Sequence, residues 1–320
     1  MIGRATPSRQ YNTEINMSSL IFSSGYSRLL FLSEGKNMKR MRYLVRVFYE
    51  GKNYFGYQRQ PNITTIEGRI VTMLKKSNHI QNVKINNFKS ASRTDKSVNA
   101  VGNVFAFDSE KEIILDQINA VGPKNKSIIC WAYAEVEDAF SPKFSSWKKY
   151  WYVLPSDHVK KTSNLSLEEL KNICSIFEGK HDFRLFCRKD HRVTNREISR
   201  IDIFEKNDNV IFEFVAQSFL WEQIRRIVSY VLNFNLLPEE LQDARYLLTS
   251  EDRIKEINLA PADPRNLVLV EHFYEKIKWI ESEKATKSIL EKLKIEFLDF
   301  KRDLSINSIL YNFFKASDSI

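Results

Sequence analysis

The sequence predicts an α+β protein made of two halves, with a cleft between their sheets. Two observations carry this prediction. Residues 41–140 alternate strand-forming and helix-forming segments and lack the long apolar runs typical of a parallel sheet. Residues 141–275 show the same alternation of strand-forming and helix-forming segments. Two such halves in one chain indicate a cleft where their sheets meet.

The first half begins with a strand that ends in a turn. Residues 43–49 are rich in aromatic and β-branched strand formers, and Gly51 follows them. Thr64 and Glu67 have the spacing of a capping box, which predicts a helix with apolar residues at helical spacing. The other elements predicted here are a strand through 104–107, a short helix over 115–120 ended by Gly122 and Pro123, and a strand over 128–136.

The second half has equally clear signals. A strand over 149–154 places Tyr150, Tyr152 and Leu154 on one face. Ser166 and Glu169 form a second capping box, which predicts a helix after them. The other predicted elements are a hairpin that pairs 198–204 with 210–215, a helix over 219–233 with one apolar stripe, and a strand over 267–273.

The two ends of the chain lie outside these halves. Residues 1–40 are dominated by Ser, Asn and Arg, and we expect a disordered extension. It is compatible with an organellar transit peptide, and equally with a start assigned too far upstream, because Met38 and Met41 immediately precede the first predicted strand. Residues 276–320 have a long charged and apolar helical pattern, which predicts a helical appendage.

Composition indicates a basic protein without a cofactor or metal signature. Lys and Arg number 49 against 40 Asp and Glu, and this excess favours a polyanionic partner such as nucleic acid. The three cysteines and five histidines show no metal-ligand spacing, which predicts no metal site and buried or idle thiols in a reducing compartment. Neither a Walker loop nor a GxGxxG motif is present, which predicts no nucleotide cofactor. No apolar window reaches the ~18–20 residues that span a bilayer, which predicts no membrane segment.

One loop has the composition of a reactive site rather than of a packed segment. It carries a single carboxylate, Asp95, between Arg93 and Lys96, among small residues that leave room for a ligand. Nearby positive charge favours the ionised carboxylate. Arg225 lies on the apolar helix, where a guanidinium is costly to bury without a carboxylate partner, and Asp95 is a candidate for that partner. A solvated loop with a surface Arg–Asp pair is the alternative for so short a motif.

Six motifs in a fixed order resemble those of the TruA family of tRNA pseudouridine synthases, and together they are far more specific than any one of them. They are YEG at 49–51 with FGYQRQ at 55–60, TIEG at 65–68, SRTDKSVNA at 92–100, KKYWY at 148–152, GKHDF at 179–183 and FLWEQIR at 219–225. LAP at 259–261 and the strand after it resemble the end of the family's domain, so the resemblance covers residues 41–275. The departures include Ser92, Asn99 and Lys148, where many members have Gly, His and Arg.

The resemblance implies a fold and a reaction. The fold would consist of two RRM-like or ferredoxin-like halves whose antiparallel sheets join around a central basic cleft. The reaction would be the isomerisation of uridine to pseudouridine in the anticodon stem-loop of tRNA, and it needs no cofactor. The enzyme would be cytoplasmic and would act as a homodimer that grips tRNA across both subunits.

The resemblance also implies roles for individual residues. Asp95 would act on the uridine as a nucleophile, or assist glycal formation as a base or ion-pair partner. Arg225 would hold Asp95 ionised, and Tyr150 would stack on the uracil or take a proton from the sugar. The target must leave its stack, and Arg93 would fill the vacated space or contact a phosphate. The other implied RNA contacts are Tyr57, Gln58, Arg59, Lys96, Lys148 and Lys149. For the lysines, a solvated surface is the alternative interpretation.

Two other functions fit the same residues. Two RRM-like halves could bind single-stranded RNA without chemistry, although the aromatic signature of RNP motifs is missing. A base-flipping glycosylase could use Asp95 to release a free base. If Asp95, Tyr150 and Arg225 lay on separate faces, the enzyme interpretation would lose its basis. Product analysis separates the two enzymes, because isomerisation leaves the mass of the RNA unchanged.

Overall fold

The computed structural model describes residues 40–249 and 260–317, so the predicted extension at 1–40 lies, apart from Arg40, outside the described residues. Within them, ten strands form one sheet. The strands are β1 (Met41–Tyr49), β2 (Lys89–Ser90), β3 (Asn99–Ser109), β4 (Ile128–Val136), β5 (Trp147–Pro155), β6 (Gly179–Asp182), β7 (Asn195–Lys206), β8 (Asn209–Ala216), β9 (Leu267–Phe273) and β10 (Ile280–Glu281). The α-helices are α1 (Ile66–Lys76), α2 (Leu115–Ala120), α3 (Ser156–Ser163), α4 (Leu167–Ser175), α5 (Gln223–Leu232), α6 (Glu239–Gln242), α7 (Ala244–Thr249) and α8 (Glu283–Ser317).

The sheet runs without a break from the first half of the chain to the second. Its strand order is β10-β4-β1-β3-β9-β5-β8-β7-β6, with β2 also paired to β3. The pairing of β3 with β9, which joins Asn99 to Val268, is parallel, and the other described strand pairs are antiparallel. This large, mostly antiparallel sheet with helices confirms the predicted α+β fold class.

Alternation along the strands decides which side chains enter the main core. In β1, Tyr43, Val45 and Val47 belong to the main apolar cluster, to which α1, α4 and α5 also contribute. The intervening Leu44 and Phe48 belong to two smaller clusters. Because successive side chains of a strand point to opposite faces, most helices of the described chain pack on the face that carries the main cluster.

Several predicted bounds agree with the structure, and one helix start is corrected. The short helix over 115–120, the strand over 267–273 and the hairpin of β7 and β8 are found where they were expected. The N-cap of α1 is Thr65 rather than the predicted Thr64, because the Thr65 side chain accepts from the backbone N–H of Gly68 at 3.3 Å. The Glu67 carboxylate accepts instead from the backbone N–H of Arg59 at 2.9 Å, so no capping box closes here.

The predicted boundary between residues 140 and 141 falls in the segment that joins β4 to β5. The division into a subdomain over 41–140 and another over 141–275 stays a prediction. The predicted appendage at 276–320 contains β10 and the long helix α8. No helix in the described ranges combines the length and the apolar character needed to cross a membrane.

Candidate active site

A cleft of about 1030 Å³ lies near the junction of β3 and β9, where the two halves of the sheet meet. The loop before β3, strand β5 and helix α5 line it, and they contribute Asp95, Tyr150 and Arg225 respectively. The three side chains that the sequence predicted as catalytic therefore converge in one cleft, although Asp95 and Arg225 are 130 positions apart. Their roles in a reaction stay predictions.

A buried polar network anchors the loop that carries Asp95. The hydroxyl groups of Tyr49 and Thr94 are 2.8 Å apart. Asn103 of β3 donates to the Tyr49 hydroxyl and to the Ser92 carbonyl, both at 3.1 Å. Buried polar groups are stable in such a place when each of them has a partner. Side chains of β1 and β3 therefore fix the conformation of the Asp95 loop.

The segment at 54–60 packs against one side of the loop that carries Asp95. Gly56 has a φ of +86°, which favours glycine, and a Cβ at this position would lie 3.3 Å from the carbonyl oxygen of Thr94. The backbone N–H of Tyr57 donates to that same oxygen at 3.0 Å. A side chain at position 56 would therefore strain the turn and press on the loop that positions Asp95.

Arg225 holds the carboxylate from the other wall of the cleft. Its Nη1 donates to Oδ2 of Asp95 at 3.1 Å, and its Nε donates to the Ala262 carbonyl at 2.6 Å. The Arg225 side chain is 10% exposed, against 28% for Asp95. Arg225 lies in the first turn of α5, which starts at Gln223, later than predicted, because Glu222 has a left-handed backbone with a φ of 63°.

Burial raises the pKa of the Asp95 carboxyl above its ordinary value, although the charge and hydrogen bond of Arg225 lower it and Glu222 raises it further. From the positive neighbours alone, the sequence predicted that the ionised form is favoured. Desolvation is the effect that it lacked. A carboxylate with a raised pKa is a stronger base when it is ionised, which suits a group that reacts.

Strand β5 sends alternate side chains into the cleft. Tyr150 is buried, and its ring packs edge-on against Phe219 with the ring centroids 5.3 Å apart. Burial raises the pKa of Tyr150 to about 12, so its phenol stays protonated at neutral pH. Lys148, two residues earlier on the same face, also lines the cleft.

Lys148 is a partly buried cation on the cleft wall. Burial lowers the pKa of Lys148 to about 8, and no carboxylate in the described parts of the chain opposes that shift. Its cross-strand neighbour His272 is fully buried, and burial keeps the pKa of His272 well below its usual range, so the imidazole is neutral. The ammonium of Lys148 is therefore available to an anionic ligand, and its charge varies with pH just above neutrality.

Three of the predicted RNA contacts, Arg93, Gln58 and Lys96, are exposed residues that line the cleft. Arg59 is also exposed, but it lies outside the cleft lining, with its Nε 3.5 Å from a carboxylate oxygen of Glu67. The first three can reach a ligand in the cleft, whereas Arg59 can contact only a ligand that extends beyond it.

Two other predicted contacts, Tyr57 and Lys149, are poorly placed to reach RNA in the cleft. Tyr57 is among the residues that line the cleft, but it is only 1% exposed and its hydroxyl donates to Ser90 at 3.0 Å. Lys149 lies on the opposite face of β5 from Tyr150, because neighbouring residues of a strand alternate faces, and its Nζ is 3.6 Å from Glu213. Neither position supports the predicted contact with RNA in the cleft.

A basic loop between β6 and β7 was not singled out from the sequence. It brings Arg188 and Arg192 to the cleft, and Arg196 at the start of β7 follows them. The Arg188 guanidinium lies over the ring of Trp221, 4.2 Å from its centroid, and Trp221 also lines the cleft. A stacked arginine and an aromatic ring form the kind of surface on which nucleic acid bases stack. The signal was the density of Lys and Arg over 188–196.

The lining of the cleft is strongly positive. Eight Lys and Arg residues face three acidic ones, and a positive cleft attracts a polyanion. The cations are Arg93, Lys96, Lys143, Lys148, Arg188, Arg192, Arg196 and Arg225, and the acids are Asp95, Asp190 and Glu222. Across the described residues, no group of three or more His, Cys, Asp or Glu could hold a metal ion.

Comparison with known proteins identifies relatives along most of the chain. A family model described as tRNA pseudouridine synthase matches residues 173–275. The tRNA pseudouridine synthase A of Thermococcus sibiricus is 37% identical over 273 residues, which cover 84% of this chain and 97% of that protein. The protein of the same name from Pyrococcus furiosus is 35% identical over 80% of this chain and 93% of its own length. A solved H/ACA RNP bound to a substrate RNA containing 2′-deoxyuridine is 12% identical over 58% of this chain and 41% of that chain, with a TM-score of 0.27, a likeness too distant to carry an argument.

Proposed function

Because the chain belongs to the TruA family of tRNA pseudouridine synthases, we propose that Asp95 isomerises a uridine flipped into the cleft from the anticodon stem-loop of tRNA. The membership confirms the family predicted from the six motifs, and with it an isomerase that converts uridine to pseudouridine. The observation that carries the proposal is the Asp95–Arg225 pair, 3.1 Å apart in a basic cleft.

The chemistry explains why a single carboxylate is enough. The N1–C1′ bond breaks, the base turns and a C5–C1′ bond forms, while C5 loses a proton and N1 gains one. No electrons are transferred and the RNA keeps its mass. A carboxylate serves this reaction as a nucleophile at C1′ or C6, or as a base or ion-pair partner in glycal formation. Both routes need an ionised carboxylate beside the sugar, and the charge and hydrogen bond of Arg225 favour the ionised form of Asp95 against the desolvation that raises its pKa.

Arg225 positions Asp95, and Tyr150 supports the base. The second hydrogen bond of Arg225, to the Ala262 carbonyl, fixes the orientation of the guanidinium that donates to Asp95. Burial raises the pKa of Tyr150 to about 12, so a neutral ring stacked on the uracil is favoured over a phenolate that takes a proton from the sugar. The edge-on contact with Phe219 fixes the plane of the Tyr150 ring.

Base flipping would bring the target uridine to the partly buried carboxylate of Asp95. A uridine that stays stacked in a stem-loop cannot bring its C1′ to a carboxylate with a side chain only 28% exposed. Arg93 is exposed next to Asp95 in the chain and lines the cleft, so it can fill the space that the base vacates or contact a neighbouring phosphate. The Arg188–Trp221 stack offers a second surface for unpaired bases.

The remaining RNA surface combines predicted and newly found residues. Gln58, Lys96 and Lys148 line the cleft together with the basic loop at 188–196, whereas Tyr57 and Lys149 are left out of the surface that we propose. Arg59 would contact RNA beyond the cleft. The choice of the anticodon arm, the homodimer, the cytoplasmic location and the two-subdomain organisation rest on the family resemblance.

Pseudouridine mapping tests the proposed reaction. Unmodified tRNA transcripts are incubated with the protein, treated with a carbodiimide and read by primer extension. We expect a reverse-transcription stop in the anticodon arm, and none in a transcript whose uridines in that arm are replaced by cytidine. Stops in another arm would contradict the proposed target site. Tight binding without any stop would indicate an RNA-binding module, and release of free uracil would indicate a glycosylase.

Lys148 gives the binding step a predicted pH dependence. Its pKa is lowered to about 8 by burial, so the ammonium is charged below that pH and loses its proton above it. Phosphate binds the charged form, so the affinity for tRNA is expected to fall as the pH rises from 7 to 9. The measurement is a filter-binding titration of tRNA at constant ionic strength, because salt alone changes such affinities.

The matched control for this prediction is Lys148→Arg. A guanidinium keeps its proton throughout this range, so the variant is expected to bind with much less dependence on pH. If Lys148→Arg lost affinity between pH 7 and 9 as steeply as the wild type does, another group would be titrating and Lys148 would not be the source of the pH dependence.

A further inference from the structure

The side chain of Asn99 joins three segments of the chain at the start of β3. Its Oδ1 accepts from the backbone N–H of Gly51, in the turn after β1, at 2.9 Å. Its Nδ2 donates to the carbonyl of Arg265, just before β9, at 3.1 Å. A backbone N–H can only donate and a carbonyl can only accept, so these partners fix the orientation of the amide. The position therefore needs a side chain that carries both a donor and an acceptor.

Asn99 lies where the two halves of the sheet meet. The parallel pairing of β3 with β9 extends over two positions, Asn99 with Val268 and Ala100 with Leu269. The hydrogen bond from the Asn99 side chain to Arg265 adds a further link at the same junction. Asn99 therefore connects the two halves through its backbone and through its side chain.

A tight turn ties Asn99 to Asp95, which lies four residues before it. The backbone N–H of Val98 donates to the Asp95 carbonyl at 3.3 Å, and Ser97 has a left-handed backbone with a φ of 68°. A Cβ at Gly51 would lie 2.3 Å from the carbonyl oxygen of Val98, so the turn after β1 packs directly against this turn. A displacement of Asn99 would therefore move the segment that carries Asp95.

On the other side, a second tight turn ties the Arg265 carbonyl to Arg225. Pro264–Asn266 form a 3₁₀ turn, which Asp263 caps by accepting from the backbone N–H of Arg265 at 2.9 Å. Ala262, just before this turn, binds Arg225 twice. Its carbonyl accepts from the Arg225 Nε at 2.6 Å, and its N–H donates to the Arg225 carbonyl at 3.1 Å. A shift of the 3₁₀ turn would therefore reach the guanidinium.

These links form a closed ring around the reactive pair. The ring runs from Asp95 to Asn99, across to residues 262–265, and on to Arg225, whose Nη1 returns to Oδ2 of Asp95 at 3.1 Å. We infer that Asn99 is a positioning residue, which holds the Asp95 loop and the support of Arg225 at the separation that the pair requires. The inference rests on the proposed function for the importance of that pair. Asn99 itself is not among the residues that line the cleft, so its effect on RNA is indirect.

Three variants separate this role from a general loss of stability. Asn99→Ala removes both hydrogen bonds, and water can pair with the two backbone groups, because the position is only partly buried. Asn99→His restores one donor and one acceptor, since a neutral imidazole carries both, and many members of the family have His here. The control is Asn119→Ala. Asn119 of α2 accepts from the N–H of Cys130 at 2.9 Å and donates to its carbonyl at 2.7 Å, away from the cleft.

The first experiment measures single-turnover pseudouridine formation and tRNA affinity in the same proteins. Asn99→Ala is expected to react about 10- to 100-fold more slowly, because a misplaced reacting group slows the chemical step. Its affinity for tRNA should stay close to that of the wild type. Asn99→His should recover most of the rate, and Asn119→Ala should keep it. A wild-type rate in Asn99→Ala, or an equal loss in Asn119→Ala, overturns the inference.

The second experiment needs no reaction, so it distinguishes failure of this inference from failure of the proposed function. Carbon NMR follows the titration of the Asp95 carboxyl, whose signal is identified by its absence from Asp95→Asn. The charge and hydrogen bond of Arg225 lower the pKa of Asp95, and Glu222, which raises it, is the same in all variants. The pKa of Asp95 should therefore rise in Asn99→Ala and stay unchanged in Asn119→Ala.

The two experiments together assign each outcome. An unchanged pKa of Asp95 in Asn99→Ala overturns the inference, even when the wild type forms pseudouridine. If the pKa rises in Asn99→Ala but the wild type forms no pseudouridine, the proposed function fails, while the positioning of the Asp95–Arg225 pair by Asn99 is confirmed.

Discussion

The Asp95→Asn protein is expected to bind tRNA with nearly the affinity of the wild type and to form pseudouridine at least about 10⁴-fold more slowly, the order of loss when a reacting group is removed. The amide keeps the shape of the carboxylate and can still accept from Arg225, so the cleft that binds RNA is preserved. It can neither attack the sugar nor act as a base. Single-turnover pseudouridine formation and a binding titration, made on the same protein, separate the two effects.

The control for this substitution is Asp190→Asn. Asp190 also lines the cleft, but it pairs with Arg192 in the basic loop and lies outside the pair that we assign to catalysis. Its neutralisation should leave the rate of conversion close to that of the wild type. An Asp95→Asn protein that turned over within tenfold of the wild type would remove Asp95 from the reaction.

The sequence predicted most strongly what depends on local pattern. Strand alternation placed Tyr150, Tyr152 and Leu154 on one buried face, and the burial pattern of β5 agrees. The cost of burying an arginine on an apolar helix predicted that Arg225 needs a carboxylate, and Asp95 is its partner at 3.1 Å. Such features are predictable because they depend on the period of one element or the charge of one side chain.

What the sequence missed depends on three-dimensional packing. Tyr57 lies in a polar loop, yet its ring turns into the core, because the backbone of that loop docks against the Asp95 loop. The raised pKa of Asp95 follows from burial, which no spacing of charges can indicate. Arg188 reaches the cleft only because the loop between β6 and β7 folds against Trp221, on a segment 33 residues later in the sequence.

Lys149 was misplaced for a simpler reason. Adjacent residues of a strand cannot both face one cleft, and the same alternation that placed Tyr150 in it should have placed Lys149 outside. The motif KKYWY was treated as a unit because of its match to a family, whereas the geometry of β5 divides it between two faces. Where a motif forms a strand, its alternate residues have different roles.

Removing the partner of Asp95 is expected to lower stability and activity together. Arg225→Ala leaves a partly buried carboxylate without its cationic partner and should cost roughly 2–3 kcal/mol, less than the 3–5 kcal/mol of a fully buried pair, because Asp95 is 28% exposed. Conversion should fall at least about 100-fold, since the carboxylate also loses its orientation. Arg226→Ala on the same helix, which breaks an i,i+4 pair with Glu222, is the control and should cost about 0.5 kcal/mol.

The pH dependence of this loss distinguishes an unpaired charge from a simple packing defect. Burial raises the pKa of Asp95 in the folded protein, and removal of Arg225 should raise it further. Such a group destabilises the fold above its folded pKa, and this penalty disappears as the pH falls and the carboxyl is protonated in both states. The difference in melting temperature between wild type and Arg225→Ala should therefore shrink from pH 7 towards pH 4, and a difference that stayed constant would indicate a packing defect.

A double-mutant cycle tests whether the loss of stability in Arg225→Ala comes from the unpaired charge of Asp95. Once Asp95→Asn is present, the later removal of Arg225 no longer leaves a carboxylate unpaired, so it should cost less stability than it does in the wild type. The coupling energy from the four unfolding curves at pH 7 measures the pair itself. Additive costs would mean that the two side chains, although 3.1 Å apart, act independently, and Arg225 would then stabilise α5 through Ala262 rather than hold the catalytic group.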